Sequence, residues 1–229
     1  MVRPLMVSPT LGKAAATYEH LKTLILTGQI KPGRRLAPQD LGPAFGVSQT
    51  PMREALPRLA AEGLVEWRMG QGYYSKGFSL AEQIDLAVTS QEFLMTVMRR
   101  SRGSRPKDLL QSLSALTGAS IDEPDGAEQV ARMAEEMYVG LAEASGNTVL
   151  ASFTRNVVDR TYVVRRIDLQ DRWTGEMSAM ALGAIGRALL TEDVESAQRI
   201  GREILENRLV RMAGLVKMAN QRASAAKFP

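Results

Sequence analysis

The chain has 229 residues, enough for one large domain or two smaller ones, and its 45% hydrophobic and 24% charged residues are the balance of a globular protein. It contains no cysteine and one histidine, His20, which excludes disulfides, thiolate metal sites and any pair of histidines acting together. The net charge of +4 conceals 10 basic and 5 acidic residues up to Lys76 against 19 and 20 beyond it, an asymmetry that suits a polyanionic partner but also arises on solvated faces.

In chain order, residues 1–12 read as a flexible N-terminal tail with no apolar run of signal-peptide length. Ala14 to Leu26 reads as an amphipathic helix, with Tyr18, Leu21, Leu24 and Ile25 at helical spacing and Gly28 after its end. Ile30-Lys31-Pro32-Gly33 is a turn. Pro38, at a first helical position, opens a short helix with Leu41, Ala44 and Phe45 as its apolar face. Gly46 ends it, and Ser48 is the N-cap of a third helix that runs to about Glu62. Leu64–Arg68, Met69-Gly70-Gln71-Gly72 and Tyr73–Lys76 then read as strand, turn and strand. Three helices and a hairpin over residues 13–77 make a winged helix-turn-helix, or else a small helical domain with a stray hairpin.

The residues themselves carry a resemblance. Ile30-Lys-Pro-Gly-Arg-Arg-Leu36, Gly46-Val-Ser-Gln-Thr-Pro-Met-Arg-Glu-Ala-Leu56, Leu59-Ala-Ala-Glu-Gly-Leu-Val65 and Gly70-Gln-Gly72 stand in the order and spacing of the DNA-binding domain of GntR-family bacterial regulators. From Tyr18 to Tyr74 the chain resembles that domain, and the third helix resembles its recognition helix. The resemblance implies that Arg53 reads a base, since arginine bridges O6 and N7 of guanine; a solvated charge is the alternative. It implies contacts to phosphate or base edges from Ser48, Thr50 and Gln39, and close approach of the Gly70-Gln71-Gly72 tip to DNA. Position 49, usually Arg in the family, is Gln49 here and adds no charge. Lys31, Arg34 and Arg35 add phosphate contacts or are solvated. Two prolines depart from the pattern. Pro57 lacks the N–H that would bond the Arg53 carbonyl, and Pro43 does similar damage to the second helix, so both helices are expected to bend.

Residues 78–229 read as an all-helical effector-binding and dimerisation domain, giving a mainly α chain in which a winged helix-turn-helix precedes an antiparallel helical bundle. The expected helices start after Ser79, run Lys107–Leu116, carry Val130 to Ala144, and continue through Phe153–Val164, Trp173–Leu190 and Val194–Met218. Leu141-Ala-Glu-Ala-Ser-Gly-Asn147 and Ala188-Leu-Leu-Thr-Glu-Asp193, followed by Ala197, resemble the effector domain of the FadR-type branch, known as the FCD domain. Many members of that branch hold a divalent metal on one Asp and three His. Those positions fall on Ala134, Tyr138, Leu182 and Ile204, so no metal site and no cofactor are expected. The same residues either line a cavity for a small-molecule effector or collapse into core, and Tyr138 either bonds a ligand or a backbone group. Arg155, with Arg160, Arg165 and Arg166, either holds an acid or belongs to a surface charge run. An organic acid or another metabolite is the expected effector class.

The function these readings predict is a DNA-binding transcriptional repressor, a cytoplasmic homodimer on a palindromic double-stranded DNA operator, with no membrane partner. An enzyme is not expected, because catalytic constellations and phosphate loops are missing from the sequence. The alternative is a protein-interaction dimer whose DNA reader has decayed.

Overall fold

The computed structural model describes residues 12–104, 106–123 and 125–226. They fall into two compact units, one of residues up to Phe78 together with those from Ala219 on, the other Ser79–Met218. The expected tail lies outside the described residues, Gly12 apart.

In the first unit α1 (Lys13–Leu26), α2 (Pro38–Phe45) and α3 (Gln49–Ala61) precede an antiparallel hairpin of β1 (Val65–Arg68) and β2 (Gly72–Ser75). Helical spacing decides the core. Leu21 and Leu24 of α1, Leu41 of α2, and Met52, Leu56 and Leu59 of α3 are all at most 2% exposed and share one cluster. The hairpin pairs Glu66 with Tyr74 and Trp67 with Tyr73. Gly70 (φ 70°) and Gly72 (φ 96°) take left-handed conformations that a side chain would resist, which closes the turn. The chain before α2 joins the hairpin: Leu36 N–H donates to the Tyr73 carbonyl at 2.8 Å, and Ser75 N–H to the Arg34 carbonyl at 2.8 Å.

Two local expectations need correction. Ala44 is exposed, and Gly42 takes the inner position instead, because a Cβ there would sit 2.9 Å from the Val47 carbonyl oxygen in the following turn. Ser48 stands at the N-cap of α3 but makes no side-chain cap bond. Its usual target, the N–H three residues on, does not exist, since that residue is Pro51. Helices α2 and α3 both run on through their inner prolines, Pro43 and Pro57 respectively. Both prolines are exposed, so the carbonyl each leaves unbonded lies toward solvent rather than core.

The second unit consists of α4 (Leu80–Arg100), α5 (Lys107–Leu116), α6 (Gly126–Ala144), α7 (Thr148–Gln170), α8 (Arg172–Leu190) and the part of α9 (Val194–Ser224) up to Met218. Helix α7 begins before Phe153 and ends after Val164 because both its flanks are defined by caps. Asn147 Oδ1 accepts from Leu150 N–H at 2.9 Å at its start, and Asp171 Oδ1 accepts from Thr174 N–H at 3.0 Å where α8 begins. Helices α5 and α8 meet almost backbone to backbone: a Cβ on Gly186 would lie 2.8 Å from the Leu113 oxygen, and one on Gly183 3.0 Å from that of Leu116. Between α7 and α9, the 1%-exposed carboxylate of Asp168 accepts from Arg208 Nε at 3.0 Å and from an Arg211 terminal nitrogen at 2.7 Å. Among the described residues, no helix is long and apolar enough to cross a membrane.

Candidate functional site

The buried stripe of α3 fixes what its other side offers. With Met52, Ala55, Leu56 and Leu59 turned inward, Gln49, Thr50, Arg53 and Glu54 are exposed, next to the exposed Ser48. Gln49 and Arg53 lie one turn apart, and an Arg53 terminal nitrogen donates to Gln49 Oε1 at 3.3 Å. Gln49 thereby orients the guanidinium, a role that its sequence position alone does not reveal. Gln39 is exposed on α2. The Ser48 hydroxyl, without a cap bond, is a donor at the start of the same exposed row.

The hairpin tip is built to be thin and held. Arg35 Nε donates to the Gln71 carbonyl at 3.1 Å, so this arginine braces the turn and Gly70, Gln71 and Gly72 are fixed against it. Arg68 stacks 4.2 Å above the Tyr74 ring and pairs with Glu66 at 2.9 Å. Trp67 and Met69 are 55% and 82% exposed on the hairpin, apolar side chains that the strand reading did not single out. Period-two alternation with Val65 inward would have turned Trp67 inward as well, so the pattern gives no signal for its exposure. Behind the helices, Tyr18 donates to the Glu62 carboxylate at 2.6 Å, and Arg58 lies 4.0 Å over its ring. Burial and that carboxylate push the Tyr18 hydroxyl up to about 12.

In the second unit Tyr138 and Ile204 line one cavity of about 20 Å³ between α4, α6, α7 and α9. Arg165 lines it as well. The other residues proposed for a ligand site lie elsewhere. Ala134 of α6 and Leu182 of α8 are 4% and 5% exposed core residues. Arg155 is exposed and pairs with Glu143, because its place on the first turns of α7 faces outward. Arg160 pairs with Glu82, and Arg166 with Glu128 at 3.1 Å.

Residues 13–74 match the bacterial regulatory proteins of the gntR family, and residues 92–207 match the FCD domain. The chain belongs to the GntR family, in its FCD branch. DNA-binding transcription regulation is therefore its general activity. This GntR-family chain is similar to the Nta operon transcriptional regulator of Aminobacter aminovorans, at 27% identity over 146 residues, which are 62% of this chain and 68% of that one. It is also similar to the HTH-type transcriptional regulator BphR of Paraburkholderia xenovorans, at 32% over 98 residues, covering 43% of this chain and 40% of BphR. In fold it is similar to McbR/YncC of E. coli, with a TM-score of 0.71 and 16% identity over 90% of this chain and 99% of that one. A GntR transcriptional regulator from Rhodococcus sp. RHA1 gives a TM-score of 0.70 and 18% identity, covering 88% and 98%.

The metal that many FCD domains hold does not fit this one. Ala134, Leu182 and Ile204 offer no donor atom, and Tyr138 alone cannot hold a divalent ion. Among the described residues no group of three or more His, Asp and Glu is placed to bind a metal.

Proposed function

We propose that this GntR-family protein is a repressor that binds a palindromic operator as a homodimer in the cytoplasm and responds to a small-molecule effector in its helical unit. The observation that carries this reading is the exposed row of Ser48, Gln49, Thr50 and Arg53 on an unbroken α3. Arg53, held by Gln49, bridges a guanine edge; Thr50 and the Ser48 hydroxyl reach phosphates beside it. Gln39 and the braced tip of the wing add backbone contacts on either side. A twofold pair of such readers requires half-sites about one helical turn apart or a multiple of it, so the operator mirrors the symmetry of the dimer. Effector binding then alters affinity by changing how the two readers are presented.

Retention of genomic DNA fragments by the full chain tests this, with salt varied and Arg53→Ala alongside. Selective retention that the substitution weakens by about 1–3 kcal/mol supports the reading. Equal retention by both proteins removes Arg53 from the reading role, and no retention by either at low salt favours an interaction dimer with a lost reader.

A further inference from the structure

The far end of the chain takes part in the first unit. Residues from Ala219 on belong to it, and Ala219 and Ala223, one turn apart on α9, are 1% and 2% exposed. Asn220, in the same turn, grips the backbone of one residue twice. Its Oδ1 accepts from Phe78 N–H at 3.0 Å, and its Nδ2 donates to the Phe78 carbonyl at 2.9 Å. A side-chain amide carries an acceptor and a donor side by side, so it pairs with a single residue much as a neighbouring strand does. The fit also fixes the amide orientation, because the reverse setting faces donor with donor and acceptor with acceptor. Gly77 leaves the room: a Cβ there would lie 3.3 Å from Asn220 Oδ1 and 3.6 Å from the Pro32 side chain. The two family matches, over residues 13–74 and 92–207, include neither Phe78 nor Asn220.

The chain leading to Phe78 is bolted into the wing at Ser75, the 4%-exposed end of β2. Its carbonyl accepts from Gly33 N–H at 2.9 Å, its hydroxyl oxygen accepts from Arg34 N–H at 2.9 Å, and its hydroxyl donates to the Lys31 carbonyl. The turn so held contains Pro32, beside Gly77, and leads to Arg35, which braces the Gln71 carbonyl at the wing tip. We propose that Asn220 is a positioning residue of the DNA reader: it fixes the exit of the wing and, through this bonded turn, the place of the wing tip. The proposal rests on the reading of the first unit as operator-binding. Without the clamp, Phe78 exchanges both bonds for water and the connection frays toward Ser75. The wing then occupies its binding position for a smaller fraction of the time, and apparent affinity falls by that fraction.

The test uses the full chain with Asn220→Ala, which suits a helix, and Gln221→Leu at the next, exposed residue as the control. Amide hydrogen exchange at Phe78 reads the clamp, and retention of genomic DNA fragments reads the reader. Asn220→Ala is expected to speed Phe78 exchange and to weaken retention roughly tenfold, for the loss of two hydrogen bonds. Gln221→Leu is expected to leave both as they are. A double substitution separates positioning from general loosening of the unit. With the wing already unplaced, Arg35→Ala costs less affinity in the Asn220→Ala chain than in the wild type, whereas general loosening gives additive losses. The proposal is overturned if Asn220→Ala retains DNA as the wild type does, if Gln221→Leu weakens retention as much, or if the Arg35→Ala loss is the same in both backgrounds. Undiminished retention by the variant overturns the role of Asn220 alone, and no retention even by the wild type overturns the regulator reading itself.

Discussion

Pro57→Ala should make the first unit more stable. Helix α3 runs from Gln49 to Ala61 with a proline in its middle, so the Arg53 carbonyl has lost its usual donor. A proline in a helix interior lies about 3 kcal/mol below alanine. Part of that is recovered here, because Arg53 and Pro57 are both exposed and water reaches the carbonyl, an exchange worth about 1 kcal/mol. The expected gain is therefore about 2 kcal/mol. Trp67 lies in the first unit and Trp173, 75% exposed, in the second, and the chain has two tryptophans in all. In a Trp173→Phe background, urea unfolding followed by Trp67 fluorescence reports the first unit, and the gain raises its midpoint by about 1–2 M. An unchanged or lowered midpoint would refute the reasoning, since the native helix would then be fitted to the proline rather than tolerating it.

Asp168→Asn leaves two guanidiniums without their shared carboxylate between α7 and α9, and should lower the stability of the second unit by about 3 kcal/mol in calorimetric melts. Gly186→Ala places a methyl group 2.8 Å from the Leu113 oxygen; separating α5 from α8 should cost about 1–3 kcal/mol, read from Trp173 fluorescence in urea. The raised Tyr18 pKa predicts a pH effect. Its contribution is complete below pH 10, and as pH rises from 10 toward about 12 the unfolded chain loses the proton first, so stability falls. Tyr18→Phe should flatten the first unit's stability across that window, and an unaltered slope would assign the loss to another group.

The winged helix-turn-helix was legible because its apolar residues keep strict helical spacing and its glycines and Pro38 mark the element ends. The helices of the second unit were legible for the same reason, except at the start of α7. Asn147, three residues beyond the end of α6, caps α7, and apolar spacing alone does not expose that cap. Ala44 went astray because a glycine contributes no hydrophobicity to a pattern and still takes an inner position when the neighbouring turn crowds it. The cavity residues were only half legible. Tyr138 was found through the resemblance, but Arg165 and Gln83 are distinguished by burial and by missing partners, which arise only when α4, α6, α7 and α9 are packed together.

The pairing of cations in the first unit bears on how such a protein searches a genome. Lys22 is held by Glu62 at 3.3 Å, Arg58 by the Tyr18 ring, Arg68 by Glu66 and Tyr74, and Arg35 by the turn of the wing. Counterion release contributes a salt slope of about −0.9 for each phosphate neutralised, and side chains already engaged elsewhere neutralise fewer. In the proposed repressor, attraction to arbitrary sequence is correspondingly modest and residence on irrelevant DNA brief, which leaves discrimination to the hydrogen bonds proposed for Gln49, Thr50 and Arg53.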